Sequence, residues 1–204
     1  MYLDDEISLT EPAFRSTGDA FLLVGHSYGG AVALKAALKD PRRLRFLVLY
    51  EPVLFSMLVP DNPNGPATRE ILAVRDDTVR AVTLGDLEGA AERFVDYWLG
   101  PDSFAGMPEP RRSALANSMR KVRAEWHAAF HEPAPLTAFS AVDVPTLFLT
   151  GSESPASSRH VAGRLCEVLP RVTVMELEGL GHMGPVTHPE WVNEAIEGFL
   201  REVP

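Results

Sequence analysis

The sequence predicts an α/β fold, a mostly parallel sheet with flanking helices and a helical insertion, on three observations. Short continuous apolar runs recur at Ala20 to Val24, Phe46 to Tyr50 and Thr146 to Thr150. Runs of this length and composition suit strands buried on both faces of a parallel sheet. Helical segments alternate with them, and the stretch from Pro52 to Val142 is helical once past its opening loop.

In chain order, Ala20-Phe21-Leu22-Leu23-Val24 is the first strand, ending in glycine. The Ala-rich segment from Gly29 to Leu38 stops near Pro41 and reads as a helix. Phe46 to Tyr50 returns to the sheet, which gives a strand, helix, strand unit with the usual right-handed crossover. After the Pro- and Gly-rich loop from Val59 to Pro66, helices are expected over Thr68 to Thr83, Leu87 to Leu99 and Pro110 to Phe130. Gly100-Pro101 and Met107-Pro108-Glu109-Pro110 break them apart. An all-helical insertion cannot extend a parallel sheet, so it should cover the edge where the strands end, as a cap. The third strand, Thr146 to Thr150, leads into a helix over Ser157 to Leu169. Val172 to Leu177, with β-branched residues, makes a fourth strand. Pro189-Glu190-Trp191 opens a last helix with Val192, Ile196, Phe199 and Leu200 on its apolar positions and Thr187 or His188 near its N-cap. The expected division is therefore a core of residues 1–51 and 143–204 and a cap of residues 52–142.

Composition narrows the function. At 204 residues and 46% hydrophobic, the chain can bury one sizeable core. A formal charge of -9 argues against a nucleic-acid partner, because phosphate binding needs clustered Lys and Arg. Cys166 is the sole cysteine, so no intrachain disulfide can form; it reads as a buried thiol in a reducing cytoplasm. No apolar run approaches the roughly 18 residues of a membrane span, and Met1 to Glu6 is acidic where a signal peptide is basic and then apolar. A cytoplasmic location without membrane attachment is the expectation. The six histidines show no metal-ligand spacing, and no cofactor is implied. The expected partner is a small-molecule substrate.

Two local patterns carry chemistry. Gly25-His26-Ser27-Tyr28-Gly29, followed by Gly30, places a serine between a strand and a helix. Flanking glycines allow the tight turn that holds a serine Oγ clear of the sheet. The helix N-terminus behind it supplies a positive dipole end, and the Tyr28 backbone N–H can stabilise an oxyanion. His26 is a candidate for lining the pocket. Gly179-Leu180-Gly181-His182-Met183 follows the fourth strand, where a loop runs back over the sheet edge. His182 can there reach Ser27 as general base and then acid. His188 is better explained by capping, and His127, His131 and His160 fall in helices as structural or solvated residues. The cap aromatics Phe94, Trp98, Phe104, Trp126 and Phe130 read as core more than as pocket wall.

Leu23 to Gly30 together with Gly179-x-Gly181-His182 resembles the α/β-hydrolase superfamily, in its compact bacterial branch with a helical cap. The resemblance runs over nearly the whole chain from Ala20. It implies the α/β-hydrolase fold in its C-terminal part, the order nucleophile, acid, histidine, and a cap inserted after the strand Phe46 to Tyr50. It also implies a serine hydrolase of small carboxylic esters, or else of a ketone carbon–carbon bond. Two departures stand out. Family members usually carry Asp three residues after the glycine ending the penultimate strand, and Gly151-Ser152-Glu153-Ser154 puts Ser154 there. Glu51, ending the preceding strand, and Glu153 are the two candidate acids. Secondly, only Met1 to Asp19 precede the nucleophile strand, too few for the first half of such a sheet, about 60 to 80 residues. An unpaired apolar edge would result, which favours a homodimer that covers it. It also keeps open a catalytically silent fragment acting as a binding or self-associating module.

Overall fold

The computed structural model describes residues 2–17 and 20–202; Met1, Gly18, Asp19 and the last two residues, which the sequence reading assigned to the core, lie outside the described residues. Four parallel strands form the sheet: β1 (Phe21–His26), β2 (Leu44–Tyr50), β3 (Thr146–Gly151) and β4 (Val172–Leu177), in spatial order β1-β2-β3-β4. Helix α1 (Leu3–Ser16) precedes β1, and α2 (Ser27–Lys39) joins β1 to β2. Between β2 and β3 lie α3 (Leu58–Asp61), α4 (Pro66–Leu84), α5 (Leu87–Leu99) and α6 (Glu109–Phe130). Helix α7 (Ala156–Val168) crosses to β4, and α8 (Gly184–Thr187) and α9 (Pro189–Glu202) close the chain.

Each sheet face has its own cover. Leu47, Leu49 and Phe148 face a cluster that includes Leu34 of α2 and Leu165 of α7. Phe46, Val48, Leu147 and Leu149 face Val192, Ala195 and Phe199 of α9. The inserted helices hold a small core of their own, with Val82, Ala91, Val95 and Met119. Trp98, Trp126 and Phe130 nonetheless belong to the cluster beneath α2, so the insertion shares the main core. Asp86 caps α5 by accepting from the Gly89 N–H, and Gly85 at φ 84° ends α4 in the left-handed conformation that glycine tolerates.

One expectation needs correction, and one element is added. Strand β1 is the expected unpaired apolar edge and not a strand buried on both faces: Phe21 and Leu23 pack on the core, whereas Leu22 and Val24 are 40% and 52% exposed. Leu22 and Val24 pair in register with Phe46 and Val48, so they share that face, and α9 covers only the inner pair. The edge position explains why an apolar run is half exposed. The N-terminal segment, to which the sequence analysis assigns no element, forms α1, with Asp4, Asp5 and Glu6 in its first turn and Leu3 and Ile7 buried.

Candidate active site

Ser27 and Glu51 are the residues immediately after β1 and β2, and both have left-handed backbone, φ 55° and 44°. Positive φ costs a non-glycine residue about 1 kcal/mol or more, and such strain collects where function needs an abrupt turn. Packing permits the turn at Ser27. A Cβ on Gly25 would lie 2.6 Å from the Gly29 carbonyl oxygen and 2.7 Å from the Gly30 Cα, and one on Gly30 would lie 3.0 Å from the Pro52 Cα. Gly29 is different, since a Cβ there would meet nothing within 4 Å. The glycine requirement read from the motif thus holds for Gly25 and Gly30 and not for Gly29.

His182 sits between these two residues. Its Nε2 is 2.9 Å from Ser27 Oγ and its Nδ1 is 2.7 Å from Glu51 Oε2. Both His182 and Glu51 are only 1% exposed. The other carboxylate oxygen, Oε1, accepts from the Thr150 hydroxyl and the Gly151 N–H, each at 2.9 Å. Burial raises the Glu51 carboxyl, but the hydrogen bond and charge of His182, with the Gly151 N–H, outweigh it and leave the group below its ordinary value. Glu51 therefore accepts from Nδ1–H, which leaves Nε2 free to receive a proton from Ser27. Of the two carboxylates proposed from sequence, the structure brings Glu51 to the histidine. Glu153 is exposed, and its backbone N–H donates to the Leu180 carbonyl. Ser154, at the position where the resemblance placed an aspartate, is buried.

The loop that carries His182 is held from the strands below. The His26 Nε2 lies 2.8 Å from the His182 carbonyl oxygen, and the Tyr50 hydroxyl donates to the Gly181 carbonyl at 2.8 Å. Burial, and then the neighbouring His182, lower His26 to about 4, so its ring is neutral near pH 7. A carbonyl only accepts, so the proton of that neutral ring is on Nε2. His26, a candidate for the pocket wall, thus sits under the histidine loop. Above the loop, the Trp98 ring of α5 packs on the imidazole, with centroids 3.9 Å apart and planes at 31°.

Tyr28 occupies the first turn of α2, where backbone N–H groups have no partner within the helix. A small cleft of about 40 Å³ opens beside Ser27 and Tyr28, lined by Phe55, Phe94, Trp98 and Trp126 and by one carboxylate, Glu125. Phe94, Trp98 and Trp126 are therefore pocket wall as well as core, whereas Phe104 and Phe130 are core. Sequence reasoning missed Thr150, Tyr50 and Glu125. The first two act across strands, and only the pairing of β2 with β3 and the return of the last loop bring them into place. Among the described residues, no group of three or more His, Cys, Asp or Glu could hold a metal ion, and no helix is long and apolar enough to cross a membrane.

The chain belongs to the alpha/beta hydrolase family, whose model matches residues 2–195. It is 24% identical over 213 residues to N-formylmaleamate deformylase of Pseudomonas putida, an alignment covering 98% of this chain and 68% of that protein. It is 30% identical over 200 residues to polyketide synthase ThaQ of Burkholderia thailandensis, covering 90% of this chain but only 9% of the synthase. Among solved structures it is similar to MGS-M2, an alpha/beta hydrolase enzyme from a Medee basin deep-sea metagenome library. There the TM-score is 0.77 at 18% identity, covering 100% of this chain and 73% of that one. The chain thus spans about two thirds of the deformylase and a small part of the synthase.

Proposed function

We propose that the protein is a serine hydrolase of small carboxylic esters. Ser27 is the nucleophile, His182 the general base and then acid, and Glu51 the acid that orients it. The observation that carries this reading is the unbroken chain of contacts from Ser27 Oγ through both ring nitrogens of His182 to Glu51. The family membership and the relative named as a deformylase support hydrolysis without supplying the substrate.

The ester carbonyl carbon is attacked by Ser27 Oγ as its proton passes to His182 Nε2. The carbonyl oxygen takes the negative charge, and the Tyr28 N–H at the start of α2 stabilises it. Collapse of the tetrahedral species expels the alcohol, which takes the proton back from His182 and leaves an acyl ester on Ser27. Water, deprotonated by the same nitrogen, attacks that ester, releases the carboxylic acid and restores the serine. Glu51 accepts the Nδ1–H throughout and stabilises the transient imidazolium. The narrow, mostly apolar cleft beside Ser27 favours short apolar arms on the substrate.

Intact-mass measurement after treatment with a fluorophosphonate tests the reading. One adduct per chain is expected, and none on Ser27→Ala. Ester turnover that survives Ser27→Ala would overturn the mechanism.

A further inference from the structure

We propose that the cleft beside Ser27 selects substrates whose apolar arm ends in a cationic nitrogen, recognised by its aromatic rings and by Glu125. This rests on the hydrolase reading of Ser27 and adds the identity of the substrate's remote end.

The cleft wall is a run of aromatic faces. Trp98 packs on His182, Phe94 lies 6.2 Å from Trp98, and Trp126 lies 6.0 Å from both Phe94 and Phe55. Electron-rich ring faces attract a cation, most strongly where water is excluded. Glu125 is the one charged residue in this lining, and its side chain is only 18% exposed. A carboxylate kept against aromatic rings needs a positive or N–H-donating partner. Its present partner is Lys121, one turn earlier on α6, whose side chain is 67% exposed and whose Nζ lies 5.8 Å over the ring of Tyr28, at the cleft. Only the lysine end of this pair stands in solvent, so a bound cation can take its place over the Tyr28 ring while Lys121 turns into water. The surrounding charge has the same sign: Glu6 lies 3.4 Å from the Tyr28 hydroxyl, and both Glu6 and Glu125 act on that phenol, which burial chiefly and these carboxylates further hold above its ordinary value. An anionic substrate end would meet Glu125 and find no arginine in the lining.

A matched pair of acetate esters tests this, one with a 2-(trimethylammonio)ethyl arm and the other with its neutral carbon isostere, 3,3-dimethylbutyl. The ammonium ester is expected to be preferred by about tenfold in kcat/KM, and Glu125→Gln to bring the ratio of the two esters close to one. Equal turnover of the two esters by the native chain would overturn the inference and leave the Ser27 mechanism standing. In parallel, butyltrimethylammonium is titrated against tryptophan fluorescence, a readout independent of catalysis. Saturable quenching that Glu125→Gln weakens about tenfold is expected, and its absence would overturn the inference even if neither ester is hydrolysed. Failure of the hydrolase reading is distinguished by loss of fluorophosphonate labelling at Ser27.

Discussion

Ser27 and Glu51 occupy equivalent places on neighbouring strands. His26 pairs in register with Tyr50, and the residue after each turns into left-handed backbone to present a side chain to His182. The residues before these turns, His26 and Tyr50, bond the carbonyls of His182 and Gly181. Two adjacent dipeptides thus supply the proposed nucleophile, the proposed acid and both anchors of the histidine loop.

Glu51 and Glu153 should respond very differently to loss of charge. Glu51→Gln leaves the Nδ1 of His182 without its anion and should reduce kcat by about a thousandfold or more. Glu153→Gln should stay within about twofold, because the Glu153 side chain is exposed and its backbone makes the loop contact. Steady-state kinetics on one ester decides between them, and equal losses would remove Glu51 from the mechanism.

Tyr50→Phe keeps the ring and its edge contact with His26 but strips the hydrogen bond from the Gly181 carbonyl. A stability loss of about 1 to 3 kcal/mol is expected. The displaced histidine should also lower kcat by about tenfold with little change in KM. Denaturant unfolding and kinetics on the same preparation check both, and a KM effect without a kcat effect would contradict the anchoring role.

His26 makes the fold sensitive to acid. Its folded value of about 4 lies below its ordinary 6.5, so between these limits the unfolded chain binds a proton that the native chain refuses. Its contribution to stability is complete above pH 6.5 and declines as pH falls toward 4. Lowering the pH from 6.5 to 5 should cost on the order of 2 kcal/mol at this residue. His26→Gln retains an N–H that can meet the His182 carbonyl but does not titrate. The native chain should therefore lose that much more stability than the variant over the interval, as measured by urea unfolding at each pH.

The glycines of the nucleophile turn should separate cleanly. Gly25→Ala drives a Cβ into backbone and should cost about 3 kcal/mol or more. Gly29→Ala enters open space in the first turn of α2 and should be neutral or stabilising by up to about 1 kcal/mol. Thermal unfolding of the two variants makes the comparison, and similar losses would refute the packing account.

What could be read from the sequence was largely local. Strand β4 and helix α5 fall where the pattern placed them, to the residue, because their apolar periodicity and flanking Gly or Pro are contained in the segment. Ser27 and His182 announce themselves through their glycines. Glu51 stayed one of two candidates because its role depends on Thr150 and Gly151, far along the chain, being paired beside it. Helix α1 buries little beyond Leu3 and Ile7 and carries Pro12, so its pattern is faint. The apolar run of β1 does not by itself tell a central strand from an edge. Glu125 reads as an ordinary i,i+4 partner of Lys121 until the fold turns that face of α6 toward Ser27.

Fastening the histidine loop to His26 and Tyr50 ties the Ser27–His182–Glu51 arrangement to sheet assembly. A slip of one residue between β1 and β2 would turn their side chains to the opposite face and unseat nucleophile, acid and base in a single event. Covalent labelling of Ser27 during refolding should therefore appear in step with docking of the C-terminal loop, with the active centre acting as an internal clock for the last stage of folding.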